Sequence, residues 1–427
     1  MPGSESYLVV GGCGFLGRHI VEQLLARGET QVSVFDIVQR HFDSNVTFYI
    51  GDIAKPEDVT NALKKSNATA VIHTASPAHG GKTELYELVN VTGTRNIIDC
   101  CLDLGIKKLV YTSSAGVIYD GTMDIVSVDE RLPYPTKPLD AYNRTKAEAE
   151  KMVLDANSDE LATCALRPAG IFGPGDRQMI NGFYQVIQNN QTRFQIGDNL
   201  NVYDFTYVGN VAYAHLLAVD KLDQRYPYMS FREPIASIDM SLGSHRVPTS
   251  DAHPLGPNTS PSEADRLAAQ RFASGQFEEA DQRPVLRNRM DQFGPQANLE
   301  DDEEGYPIAG QAFFITNGEP IYFWDFARTI WSQLGHTPPY IIAIPVAIGL
   351  ILATLAEAFA KLTGKEPGFT RFRVAIATQQ KYHDIEKARR LLGYEPQVGL
   401  ADGMKRWTEW YKGELEKQRG AETEKMK

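Results

Sequence analysis

From the N-terminus to Pro168, short apolar runs alternate with longer stretches whose apolar positions recur every three to four residues. The short runs read as buried strands and the longer stretches as amphipathic helices. Strands are predicted at 7–10, 31–35, 47–50, 70–72, 108–112 and 162–166, with helices at 18–27, 84–104 and 141–156. Such alternation builds an α/β fold: a doubly wound parallel sheet with helices on both faces. Residues 1–169 are expected to form this core.

Beyond Pro168 the rhythm loosens, and a smaller cap is expected to begin near Gly170. Elements at 181–189, 203–208 and 210–222 read as part of it. The cap is expected to resume at 311–420, with a strand at 312–316 and a helix at 322–335. Between them, 223–309 is dense in Pro, Ser, Asp, Glu, Gln and Arg, and ends in the acidic run Glu300, Asp301, Asp302, Glu303, Glu304. A segment this polar buries too little apolar surface to offset its chain entropy, so a largely disordered insertion is expected, with a short helix near 262–274.

Residues 337–356 carry no charge. Pro345 suits the first turn of a helix at 345–362, with Gly364 as its stop. The first turns of that helix are apolar all round, which leaves two readings. It is a core helix of the cap, or an interfacial helix gripping a membrane. Pro345, Glu357 and Lys361 argue against a full span.

A chain of 427 residues is long enough for one or two domains. A net charge of -11 and a sequence pI near 5.4 argue against nucleic acid as a partner. The four cysteines, Cys13, Cys100, Cys101 and Cys164, lack metal-binding spacing and read as reduced thiols facing the cytosol. No metal is expected. No secretory signal is expected either, because 6–10 already reads as strand.

The candidate chemistry begins where the first strand ends. Gly11, Gly14 and Gly17 lie three apart between a strand and a helix, and the next strand ends in Asp36. Glycines at these positions let the backbone turn sharply and approach a pyrophosphate, and a helix N-terminus then faces its charge. Asp36 lies where a carboxylate accepts hydrogen bonds from an adenosine ribose. It is followed by Ile37 and Val38, and the nearest basic residue is Arg40, so NAD is expected over NADP. A second constellation follows. Tyr142 and Lys146 are four apart on one helix face, where an ammonium would lower the phenol's pKa towards general-base use. Ser114 ends a strand at the sheet edge where ligands bind, and would hydrogen-bond the reacting oxygen.

The order of glycine loop, Asp36, Asp52, the strand end at Thr112, Ser113 and Ser114, Tyr142 with Lys146, and Arg167 with Pro168 resembles the extended short-chain dehydrogenase/reductases. Within that group, 9–25 with 34–37, 111–114, 167–174 and 205–211 resemble the 3β-hydroxysteroid dehydrogenase branch. Residues 310–320, then Phe323, Trp324 and the apolar helix, are similar to its decarboxylating sterol-4α-carboxylate 3-dehydrogenases, the fungal form in particular. The insertion before Gly310 departs from the compact animal pattern.

The resemblance implies NAD-dependent oxidation of a sterol 3β-hydroxyl with loss of CO2 from C4. It implies pyrophosphate binding at Gly14, Phe15 and Leu16, adenine bordered by Asp52 and Ile53, and cofactor contacts from Ala75 and Pro168. Asn90 would hold a proton-relay water near Lys146. It further implies a membrane surface, other enzymes of sterol C4 demethylation and a homodimer as partners. The implied location is the endoplasmic reticulum membrane, with the active site facing the cytosol.

Phe183, Tyr184, Phe205, Phe313, Phe314, Phe323 and Trp324 are candidates for an apolar sterol slot, although aromatic residues most often simply pack the core. Arg371 and Arg373 are the candidates to meet a substrate carboxylate. Alternative readings are a 3β-hydroxysteroid dehydrogenase without decarboxylation, a nucleotide-sugar epimerase or reductase, and a cofactor-binding scaffold without turnover.

Overall fold

The computed structural model describes residues 5–40, 43–176, 179–227, 305–363 and 369–425. Most of the insertion expected at 223–309, with its helix at 262–274, lies outside the described residues, as does Gly364. The core strands are β1 (Tyr7–Val10), β2 (Val32–Asp36), β3 (Val46–Ile50), β4 (Ala70–His73) and β5 (Lys108–Thr112), followed by β6 (Ile125–Val128) and β7 (Ala162–Pro168). All but β6 join one parallel sheet in the order β3-β2-β1-β4-β5-β7, and Gln311–Ile315 completes it beside β7.

From β1 the chain builds outward through β2 to β3, then returns to β4 on the other side of β1. The direction of winding therefore reverses between β1 and β4. The crevice at the carboxyl ends of such a pair is where open α/β sheets bind ligands. β1 is buried along its whole length. α1 (Phe15–Ala26) covers one face with Leu16, Ile20, Val21 and Leu24 turned inward. Burying one aliphatic side chain such as Ile20 or Leu24 stabilises the fold by roughly 2 kcal/mol. On the other face lie α2 (Pro56–Ser66), α3 (Thr83–Tyr86), α4 (Thr94–Asp103) and α5 (Ala141–Asp155).

The helix predicted at 84–104 contains a π-helical stretch, Glu87–Gly93, between α3 and α4. The wider turn sits at Asn90, and such bulges recur at functional sites.

Two elements expected in the cap belong to the core instead. Gln311–Ile315 pairs in parallel with Cys164 to Pro168 of β7. Its Phe313 and Phe314 are fully buried, so neighbouring side chains on opposite faces both need covering, which a sheet interior supplies. The helix Val208–Lys221 packs against α1, where Gln23 Nε2 donates to the Gly209 carbonyl at 2.7 Å and Arg27 pairs with Asp220 at 2.6 Å. Outside the core, a small sheet runs in the order Ile321–Tyr322, Val202–Tyr203, Lys381–His383, β6. It brings Lys381 beside Tyr203 and Ile125, at the edge of the crevice.

The helix Val346–Thr363 is not a core helix. Gly349, Ala353 and Ala360 face the protein, and a Cβ on Gly349 would lie 3.1 Å from Ile196 Cγ2. Ile351, Leu355, Phe359 and Leu362 are 61%, 62%, 66% and 86% exposed. Small residues form the packing seam and large ones face outward, which reverses the usual order for a surface helix. Among the described residues, no helix is long and apolar enough to cross a membrane.

Candidate active site

The glycine loop is built around close backbone approach. Gly11 has φ +81°, and a Cβ there would fall 2.7 Å from the Ala75 nitrogen. A Cβ at Gly17 would fall 2.2 Å from the Gly11 carbonyl oxygen. Gly14 precedes α1 with no side-chain cap, and the first turn carries no acidic residue. The amide groups of Phe15, Leu16 and Gly17 therefore begin a helix that suits an anion. The side chain of Leu16 is buried, so only its backbone faces such a ligand. Asp36 Oδ2 accepts from the Cys13 N–H at 2.9 Å, which ties the end of β2 to the loop. Thr74 Oγ1 donates to the Val10 carbonyl at 2.9 Å and holds Ala75 beside Gly11. Loop, helix terminus, Asp36 and Ala75 fit a dinucleotide.

Asp52 and Ile53 have structural work as well. Asp52 Oδ1 accepts from the Ala54 N–H at 2.9 Å and closes a turn. The Ile53 side chain is buried against Gly93, and its carbonyl accepts from Asn96 Nδ2 at 2.9 Å.

The second half of the site grows from β5 and α5. Ser114 follows β5, and its Oγ accepts from the Gly116 N–H at 3.0 Å. α5 is capped by Asp140, whose Oδ1 accepts from the Asn143 N–H at 2.8 Å; this sets Tyr142 in the first turn. One turn on, Lys146 Nζ donates to the Thr112 carbonyl at 2.5 Å and lies 4.3 Å from the centre of the Tyr111 ring. Asn90 joins the two halves: its Oδ1 accepts from Ser76 Oγ at 3.0 Å, and its Nδ2 donates to Thr145 Oγ1 at 3.0 Å.

The electrostatics differ from the expectation that Lys146 lowers the phenol's pKa. Burial pushes the Tyr142 phenol up to about 12, against a favourable hydrogen bond from Ser76. Burial also pulls the Lys146 amine down to about 7, against the pull of Glu150. Desolvation dominates at both groups, and the lysine is directed at the Thr112 carbonyl. His73 and His215 are held neutral, with pKa near 3 and 4, by burial and the nearby Lys146 charge.

Glu150, one turn beyond Lys146, forms a buried fork with Arg167 at 2.6 to 3.0 Å and accepts from the Tyr134 hydroxyl at 2.5 Å. This pair locks α5 to the end of β7, next to Pro168. Breaking one partner of a buried pair costs about 3–5 kcal/mol, so Arg167 is a fold residue as much as a motif residue.

One cavity is walled by Ser114, Tyr142 and Pro168 together with His79, Phe372 and Lys381. His79 is bonded to Asp140 at 3.0 Å, packs edge-on to Tyr142 at 5.1 Å and stacks on Phe372 at 5.6 Å. His79, Phe372 and Lys381 come from loops and cap elements far apart in the chain and carry no local sequence signal; only Asp140 had one, as a cap before the Tyr142 helix. None of the aromatic slot candidates lines the cavity. Phe205, Phe313 and Phe314 are core, and Phe205 stacks on Phe326 at 3.6 Å. Arg371 lies outside the cavity, 63% exposed and paired with Glu357 at 2.9 Å, and Arg373 is also absent from its wall.

A family model described as the 3-beta hydroxysteroid dehydrogenase/isomerase family matches residues 8–233 and 296–346. The chain belongs to this family. Within the 3-beta hydroxysteroid dehydrogenase/isomerase family, it is 41% identical over 411 residues to a Schizosaccharomyces pombe protein named sterol-4-alpha-carboxylate 3-dehydrogenase, decarboxylating. That match covers 95% of this chain and 97% of the yeast protein. The human protein of that name is 34% identical, covering 93% and 86% of the two chains. Among solved structures, Thermus thermophilus UDP-glucose 4-epimerase in complex with NAD superposes with a TM-score of 0.58 at 21% identity, covering 95% of this chain and 99% of that one. That likeness shows the Rossmann-type fold that carries this family's loop and helices.

Proposed function

We propose that the protein oxidises the 3β-hydroxyl of a 4α-carboxysterol to the 3-ketone, with NAD+ as hydride acceptor, and releases the C4 carboxylate as CO2. The observation that carries this reading is 34–41% identity, over nearly the whole chain, to fungal and mammalian proteins named sterol-4-alpha-carboxylate 3-dehydrogenase, decarboxylating. The site geometry supports it. Bound on the glycine loop and Asp36, an oxidised nicotinamide supplies the hydride acceptor. Ser114 holds the substrate oxygen and Tyr142 takes its proton. Because burial holds the phenol near 12, its own proton has to leave first. Ser76 and Asn90 offer a hydrogen-bonded route away from Tyr142, and the Ser76 hydrogen bond favours the negative charge left behind.

Oxidation places a ketone β to the carboxylate. The electrons of the breaking C–C bond pass into that carbonyl as CO2 leaves, and a proton then returns to C4. Ser114 and reprotonated Tyr142 are donors for the enolate oxygen in between. The absence of a basic residue at 37 and 38 favours NAD over NADP.

The exposed face of Val346–Thr363 supports attachment to a membrane surface, which we place at the endoplasmic reticulum with the site on the cytosolic side. The neighbouring helix Arg371–Thr378 packs on it and carries Phe372 into the cavity wall, so a sterol dissolved in lipid would reach Tyr142 past Phe372. A sugar-nucleotide substrate has no use for such a face. The test is incubation of the purified protein with NAD+ and a 4α-carboxysterol. NADH and CO2 should appear in equal amounts. Turnover only with UDP-glucose, or only with sterols lacking the carboxylate, overturns the reading.

A further inference from the structure

Three titratable cations or near-cations line the cavity, and two of them are committed. His79 Nε2 is bonded to Asp140. His383 Nδ1 lies 3.1 Å from Asp204 Oδ2, which also accepts from the His383 N–H at 2.8 Å. Lys381 differs. Among the described residues its ammonium has no carboxylate within ion-pair distance and no hydrogen-bond acceptor; it lies 4.4 Å from the centre of the Tyr119 ring. Asp140 acts on it through space, but that carboxylate already accepts from His79 and Asn143. Loss of hydration pulls the Lys381 amine down to about 8, the sign of a cation short of partners. A partly buried ammonium resting on an aromatic face is a poor arrangement until an anion completes it.

The reaction proposed above supplies that anion. In a 4-carboxysterol the acid is attached to the carbon next to the one that is oxidised, so its binding group has to share a cavity with Ser114 and Tyr142. Of the cationic side chains, Lys381 meets that condition and Arg371 and Arg373 do not. Resting on that reading, we propose that Lys381 receives the C4 carboxylate of the substrate and selects acids over neutral 3β-hydroxysterols. Its contact is strongest before the C–C bond breaks and vanishes as neutral CO2 leaves. Lys381 is therefore a specificity residue that acts on binding, with no share in accelerating bond cleavage.

The experiment compares wild type, Lys381→Met and Lys381→Arg on a 4α-carboxysterol, its 4α-carboxamide and the sterol lacking both groups, each with NAD+. Wild type should prefer the acid. In Lys381→Met the KM for the acid should rise roughly 30-fold or more while kcat stays within about threefold, as removal of one partner of a buried charge pair implies. The same variant should treat acid and carboxamide alike, the ratio of their kcat/KM values falling to about one. Lys381→Arg should restore most of the preference. A wild type that decarboxylates, with a Lys381→Met variant that keeps its preference for acid over carboxamide, overturns this inference alone. A wild type that acts only on neutral sterols overturns the proposed reaction and this inference with it.

Discussion

The two halves of the site are made in different ways. The cofactor half is one contiguous piece of chain: β1, the glycine loop, α1 and the end of β2, closed within 36 residues by the bond from the Cys13 N–H to Asp36. The substrate half is assembled from His79, Ser114 and Tyr142 of the core and Phe372 and Lys381 of the cap, joined through the parallel pairing of Lys381–His383 with β6. In the first half the backbone segments pack so closely that its glycines leave no room for side chains. The second half depends on packing between distant segments, and its outer wall continues into the exposed apolar helix. On the proposed reading, the loop holds the cofactor, and Phe372 and Lys381 of the cap set which substrate meets the core residues Ser114 and Tyr142.

Perturbing each half should separate them. The largest effect is expected from Gly17→Ala, whose Cβ would fall on the Gly11 carbonyl oxygen. NAD+ binding, measured by titration calorimetry, should be lost, and activity with it. Equal affinity in variant and wild type would break the claim that the loop geometry is essential.

Next comes Leu355→Glu with Phe359→Glu on the outer face of the apolar helix. Removing the apolar face should weaken binding to phospholipid vesicles roughly tenfold or more, while turnover of detergent-dispersed sterol changes less than about twofold. Unchanged vesicle recovery in a flotation assay would assign the face to something other than lipid.

The smallest effect is on stability. The folded Lys146 amine titrates near 7, below its unfolded value, so between these two values the unfolded state binds more protons and stability rises with pH. Wild type should therefore gain thermal midpoint relative to Lys146→Met as pH goes from about 7 to 9, in cofactor-free protein. A flat difference would mean that the lysine is not desolvated as described.

The same contrast explains what the sequence revealed. β1, α1 and Asp36 could be read because strand, turn and helix signals follow one another within a few residues. Tyr142 and Lys146 could be read because four residues make one helical turn. The environment of the pair could not: periodicity does not say that burial will raise the phenol to about 12 or lower the amine to about 7. The strand expected at 312–316 reads as cap, yet Gln311–Ile315 returns across the long polar insertion to pair with β7. The apolar helix left two readings because composition does not tell which face packs. The seam of Gly349, Ala353 and Ala360 decides against the core. Lys381 carries no local signal because the groups around it, Tyr119 and Asp140, are more than 200 positions away in the chain.

The central claim is that the Tyr142 hydroxyl is the group that removes the substrate proton. The measurement that tests it most directly is the rate of NADH formation by Tyr142→Phe on a saturating 4α-carboxysterol, alongside NAD+ affinity. The rate should fall about 100-fold or more with NAD+ affinity within a few fold of wild type, as loss of a general base implies. A variant that reduces NAD+ at close to the wild-type rate would contradict the account.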